Sequence, residues 1–284
     1  MTAAAAALVL AAALCHAGWN FLVKRINGGP ELLWLFSAIS SLLYLPLALW
    51  IVIVARPPLG PAQILFMAGS TALHLGYFAL LQAGYRRGDL SLVYPVARAT
   101  GPILSTLFAV AVLGERLSAR MALGGGVIVL GILMLTGPRG GAGRAAASVP
   151  FGLAIGVLIG CYTVWDAHAV AALMVPPLLI DYVSGLGRVV VLAPLALRRR
   201  DRVIGLWRAH RAAVIGVAVL APLAYILVLE ALTFTPVAYV APLREVSVIL
   251  SVLAGSLLLG EGQLRRRLGW SFVVLAGMAL LMTG

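Results

Sequence analysis

Two short stretches put polar side chains inside apolar runs. CHAGWN, Cys15 to Asn20, interrupts the run that begins MTAAAAALVLAAAL, and CYTVWD, Cys161 to Asp166, interrupts another. On a helix, positions 16, 19, 20 and 23 share one face, as do 162, 165, 166 and 169. One face presents His16, Trp19 and Asn20, and the other presents Tyr162, Trp165 and Asp166. Turned toward a common cavity, they supply two indole walls, a hydroxyl, an amide, an imidazole and a carboxylate. An indole face also attracts an ammonium group by cation–π interaction. The bland alternative makes the tryptophans interfacial anchors and sets Asp166 near a helix end.

Three arginines also fall inside apolar runs: Arg98, Arg188 and Arg244. A central Arg or Asp in a bilayer costs about 2.5–3.5 kcal/mol on insertion scales, so it faces a cavity or a partner. Arg98 stands eight residues into a helix expected from Leu90. That depth is about 12 Å, within roughly 5 Å of the midplane. Arg244 reaches the same depth from the other face. Pro102 removes the hydrogen bond to the Arg98 carbonyl, and Pro95 the one to Ser91. Arg98 and Arg244 then either hold an anionic group of a bound solute or tie their helices to a neighbouring carbonyl or acid. Tyr94 and Tyr239 stand beside them and face the same choice.

The acids are few. Glu230 and Glu245 are the candidates for proton coupling, since an intramembrane carboxylate can load a proton. His74 and His16 offer imidazoles for the same task. Glu115 and Glu261 each follow a glycine at a short turn, where a Glu favours the N-terminus of the next helix by about 0.3–1 kcal/mol. Asp181 and Arg188, two turns apart on one helix face, are expected to form a structural ion pair or to pair with another helix. Gly152, Gly156 and Gly160 form a ladder that supports close helix packing, within the monomer or at a dimer seam.

The elements that position these groups must lie in a bilayer. Of 284 residues, 62% are hydrophobic and only 11% are charged, with a mean hydropathy of +1.06. Such a chain cannot cover a globule with polar surface. The net charge of +12 sits in short clusters between apolar runs, which argues against a nucleic-acid partner. Cys15 and Cys161 provide neither a disulfide framework nor metal-ligand spacing, so no metal and no cofactor are expected. The first apolar run has no basic leader segment and continues to Phe21-Leu22-Val23, so it reads as a spanning helix and not a cleaved signal.

Cutting at charge, Gly and Pro clusters gives ten spans. They cover about 3–23, 32–54, 62–84, 90–113, 119–137, 150–171, 177–197, 212–232, 236–259 and 268–283. The chain also matches itself at an offset of 146 residues. Cys15 pairs with Cys161, Trp19 with Trp165, Arg98 with Arg244, and Gly114-Glu115 with Gly260-Glu261. Two repeats follow, residues 1–137 and 150–284, joined by a linker at 138–149. Five helices per repeat is an odd number, so the second repeat enters from the opposite side. The fold class is therefore all-α integral membrane, ten transmembrane helices in two inverted five-helix repeats. Secondary transporters of this architecture bind their substrate near the midplane, at the repeat interface.

Asn20 with Lys24, YPVAR from Tyr94 to Arg98, and LGE at Leu113–Glu115 and Leu259–Glu261 complete a pattern over the whole chain. It resembles the drug/metabolite transporter superfamily, and most closely its EamA-type branch. The resemblance implies transport of a small molecule and leaves the substrate open. It also implies termini on the cytoplasmic side. The loop charges oppose that placement. One set of alternate loops carries fifteen Lys and Arg, and the set that includes both termini carries three, Arg56, Arg116 and Arg120. Basic loops stay inside, so the charges put both termini outside the cytoplasm.

The expected function is a secondary transporter in the cytoplasmic membrane, moving a small polar or amphiphilic metabolite by alternating access. Paired arginines, an acid and tryptophan walls suit a zwitterion. The alternative within the same superfamily is a translocator of lipid or lipid-linked sugar. The expected partners are the solute, the bilayer and protons, in a monomer or homodimer. No HExxH, no paired-Asp metal motif and no Gly-x-Ser-x-Gly occurs, so an enzyme is not expected.

Overall fold

A segment in hydrocarbon has no water for its backbone N–H and C=O groups, and a helix satisfies them within itself. The computed structural model describes residues 2–87, 90–136, 142–250 and 264–283, and every regular element among them is helical. The first half comprises α1 (Ala3–Ile26), α2 (Gly29–Trp50), α3 (Pro61–Arg87), α4 (Leu90–Phe108) and α5 (Ala119–Thr136). The second comprises α6 (Ala142–Ala171), α7 (Pro177–Arg198), α8 (Arg200–Leu232), α9 (Val237–Arg244) and α10 (Leu264–Met282). Among the described residues, seven helices are long and apolar enough to cross a membrane. Two shorter apolar helices, Ala119–Met134 and Leu268–Leu281, accompany them.

Local chemistry sets the ends. The Thr2 hydroxyl accepts from the Ala5 N–H at 3.2 Å and starts α1, and Asn27 in the left-handed region ends it. Asn tolerates that conformation better than most residues. The turns Ile51–Ala55 and Ala109–Leu113 continue α2 and α4 as π-helix. The second ends at Gly114, whose φ of 70° suits a residue without Cβ.

Three expected boundaries change. The span expected at 212–232 belongs to a helix that already begins at Arg200, with one non-helical residue, His210, at φ −135°. Residues 200–209 hold three Arg and one Asp; charge removes them from an apolar run but not from a helix. The span expected at 236–259 is interrupted at Glu245, which is a turn residue before helix resumes over 246–250. Residues 142–149, expected as linker, are the first turns of α6. Gly260 and Glu261 lie outside the described residues.

Packing crosses between the two halves. α1 lies on α8, α3 and α4 lie on α6, α2 lies on α7 and α8, and α5 lies on α10. The glycine ladder of α6 faces α4. A Cβ at Gly152, Gly156 or Gly160 would stand 2.6 Å from Val96 Cβ, 2.6 Å from Thr100 Cβ or 3.0 Å from Leu104 Cβ. Glycines every fourth residue therefore seat a partner ridge with the same spacing, inside one chain.

Candidate functional site

The α4–α6 contact and the break after α9 bring the sequence's polar residues to the middle of the bundle. Pro242 cannot donate a hydrogen bond to the preceding turn, and α9 stops two residues later. At that break Glu245, 1% exposed, sits between two arginines from opposite halves. Arg98 Nη1 donates to its Oε1 at 3.4 Å, and Arg244 Nε stands 3.8 Å from the same oxygen. The other oxygen, Oε2, is buried with no hydrogen-bond partner among the described residues, and so is Arg244 Nε. The acid expected as a proton carrier is thus the counter-charge of both arginines. Two guanidinium groups from opposite halves thus meet one carboxylate oxygen. His16 lies within the field of both arginines, and Trp19 Nε1 donates to His16 Nδ1 at 3.0 Å. Asn20 follows on the same half-buried face.

A second cluster joins α3, α6 and α8. Asp166 is fully buried. Its Oδ2 lies 3.2 Å from His74 Nε2 and accepts a short hydrogen bond from the Tyr225 hydroxyl. Its Oδ1 is buried with no partner among the described residues. Tyr162 stacks on His74 at 4.3 Å between ring centroids, and Tyr225 meets the same imidazole edge-on at 5.2 Å. Tyr77 closes on Tyr162 at 5.9 Å. A carboxylate oxygen without a donor, flanked by aromatic rings, suits an ammonium group. Tyr162 lies within the fields of Arg98, Arg244, Glu245 and Asp166.

The expected residues do not all converge. Trp165 does not stand as an open wall: its Nε1 donates to the Phe66 carbonyl at 2.8 Å and its ring stacks on Phe66 at 4.2 Å. Gly69 makes room for it, since a Cβ there would fall 2.4 Å from the indole. Trp19 packs against a buried cluster that includes Val214 and Val217 of α8, so each tryptophan leans on the third helix of the other half. Tyr239 is half-buried on α9 against the main core. Glu230 is exposed near the end of α8, apart from these clusters. Tyr94 lies on α4, but its side chain is outside the described residues.

Asp181 and Arg188 form no direct ion pair with each other, so the first of the two expected arrangements is not seen. Asp181 lines a cavity of about 10 Å³, the size of one water, with Ser40, Ser41 and Tyr44. The Arg188 guanidinium lies over the Phe78 ring at 5.7 Å. Arginine often prefers an aromatic face to a distant carboxylate.

Sequence reasoning missed Tyr225. Its signal was present, because a tyrosine in an apolar span needs a hydrogen-bond partner. Glu115 is expected from the sequence to favour the N-terminus of the helix that follows it. Ser118 takes that role, its Oγ accepting from the Met121 N–H at 3.1 Å. Glu115 instead crosses to the other half and caps α9, accepting from the Val237 N–H at 2.7 Å and the Ala238 N–H at 2.9 Å. A cavity of about 370 Å³ opens beside it, lined by Glu115, His168, Phe234 and Thr235.

The helices and their buried charges define a multi-pass membrane protein with a polar interior. Residues 3–137 match the model of the EamA-like transporter family. Over that first half the chain is similar to a family of transporters. A solved structure described as "Crystal structure of protein" superposes with a TM-score of 0.76 at 18% identity. The alignment covers 100% of this chain and 98% of that one, and at this identity it speaks to the fold alone. No curated protein matches.

Proposed function

We propose that the protein is a secondary transporter that carries a small zwitterionic metabolite across the cytoplasmic membrane by alternating access. The observation that carries this reading is the charge arrangement around Tyr162. On one side, Arg98 and Arg244 present two guanidinium groups around Glu245. On the other, Asp166 keeps an oxygen without a donor beside aromatic rings. A solute with an anionic and a cationic group would complete both sides. The protein interior then replaces water at each end of the solute, which keeps the transfer cost low.

The same reading takes the chain as ten spanning helices in two inverted repeats, residues 1–137 and 150–284, with 138–149 between them. Exchange of the halves supports it. The contact of α1 on α8 becomes that of α6 on α3, while α2 on α7 and α5 on α10 each map onto themselves. The arginine-rich loops are assigned to the cytoplasm, so both termini lie outside. His74 beside Asp166 is then the group best placed to exchange a proton with the solute site.

Charge movement in proteoliposomes on a solid-supported membrane tests the function. Amino acids, aminophosphonates, cationic drugs and sugar phosphates are added in turn, with and without a pH gradient. A current evoked by zwitterions and reduced in Arg98→Ala supports the proposal. A current evoked only by cationic drugs or sugar phosphates contradicts it.

A further inference from the structure

Residues 200–209 precede the break at His210 and cannot be part of an apolar span, yet they are helical. Their two faces differ. Val203 and Leu206 dock against the ends of α1 and α2, in a cluster with Ile26, Leu32 and Leu35. Arg199 and Arg202 fix the same docking from the side, at 2.8 and 3.7 Å from Glu31 Oε1. At 3.6 residues per turn, Arg200, Ile204, Trp207 and Arg208 fall within an arc of about 100° on another face. All four are exposed, Ile204 at 45% and Trp207 at 38%.

The charge there is not balanced within the protein. Among the described residues, Arg198, Arg199, Arg200, Arg202, Arg208 and Arg211 stand with the acids Asp201 and Glu31, leaving four positive charges. Arg200 and Arg208 make no ion pair among the described residues. A face that alternates guanidinium groups with an indole and an isoleucine fits neither bulk water nor hydrocarbon. It fits the boundary between them, where phosphates meet acyl chains.

We infer that residues 200–209 form an interfacial helix whose outer face binds the headgroups of anionic phospholipid. Arg200 and Arg208 take the phosphates, and Ile204 and Trp207 enter the acyl boundary. The chain is thereby anchored at the one helix that joins α7 to the α8 span. This does not depend on what the transporter carries.

The test uses the full-length protein in lipid nanodiscs and reads the fluorescence of Trp207 as wild type minus Trp207→Phe. Discs contain dibrominated phosphatidylglycerol or dibrominated phosphatidylcholine at equal mole fraction. The expected result is stronger quenching by the brominated phosphatidylglycerol. That preference should fall about fivefold for each arginine removed in Arg200→Ala and Arg208→Ala. Arg200→Lys/Arg208→Lys should keep most of it, which separates lost charge from lost fold. Equal quenching by the two lipids overturns the proposal. So does a preference that survives the double alanine variant, or one that inorganic phosphate abolishes at constant ionic strength.

Discussion

Replacing Glu115 by Ala should loosen the N-terminus of α9 without touching α5. Val237 and Ala238 are the first two residues of that helix, and their N–H groups have no partner within it. Pro236 precedes them and provides no side-chain cap. Both N–H groups end on one carboxylate, at 2.7 and 2.9 Å. Hydrogen bonds to a charged acceptor are worth about 1.5–3 kcal/mol each, whereas loss of an N-cap costs about 0.5–2 kcal/mol. Glu115 is half-buried, so the lower range applies, and about 2 kcal/mol is expected. That corresponds to roughly a 30-fold change in an opening equilibrium. Residue-resolved hydrogen exchange measures it directly at the amides of Val237 and Ala238. Exchange at both should accelerate about 30-fold in Glu115→Ala. Glu115→Gln should recover less than half of the protection, because its amide can accept through one oxygen only and sets its NH₂ against the other donor. Amides at the start of α5, where Ser118 is the cap, should not change. Unaltered exchange at Val237 and Ala238, or a change confined to α5, would refute the clasp.

Other substitutions separate packing from site chemistry. Gly156→Ala puts a Cβ 2.6 Å from Thr100 Cβ and 3.3 Å from the Gly101 nitrogen, so thermal unfolding in detergent should show a loss of about 1–3 kcal/mol. Trp165→Ala removes a packed indole from α3, and the same assay should show about 3–5 kcal/mol. Glu245→Gln leaves Arg98 and Arg244 without their shared counter-charge. A loss of about 3–5 kcal/mol is expected, larger than for Glu230→Gln at its exposed position, and an equal effect of the two would contradict the assignment.

Much of this was legible in the sequence where a residue's cost in lipid is independent of its neighbours. Arg98 and Arg244 stood out for that reason, and the 146-residue offset paired them. The ladder of Gly152, Gly156 and Gly160 could be read as a packing face, because small residues at helical spacing mean close approach in any context. Identities of partners were not legible. Glu115 follows Gly114 in the chain, but its hydrogen bonds reach residues 237 and 238, more than a hundred positions away. Trp165 and Trp19 occupy matching positions, yet one is stacked on Phe66 and the other is bonded to His16. Asp181 and Arg188 lie two turns apart on one helix face, and the guanidinium lies over Phe78 of α3 instead. Residues 200–209 were hidden because hydropathy cannot distinguish a charged loop from a charged helix.

Transport measured for a matched set of solutes tests the zwitterion site most directly. The set is the transported zwitterion, its ester without the negative charge, and its N-acyl derivative without the positive charge. Wild type, Arg98→Ala and Asp166→Asn are compared in proteoliposomes after each is shown to be folded and monodisperse. The expected result is that wild type moves only the zwitterion efficiently. Arg98→Ala should lose discrimination against the ester, and Asp166→Asn should lose it against the N-acyl derivative. Unchanged rates and unchanged discrimination in both variants would contradict a solute held between Asp166 and the paired arginines.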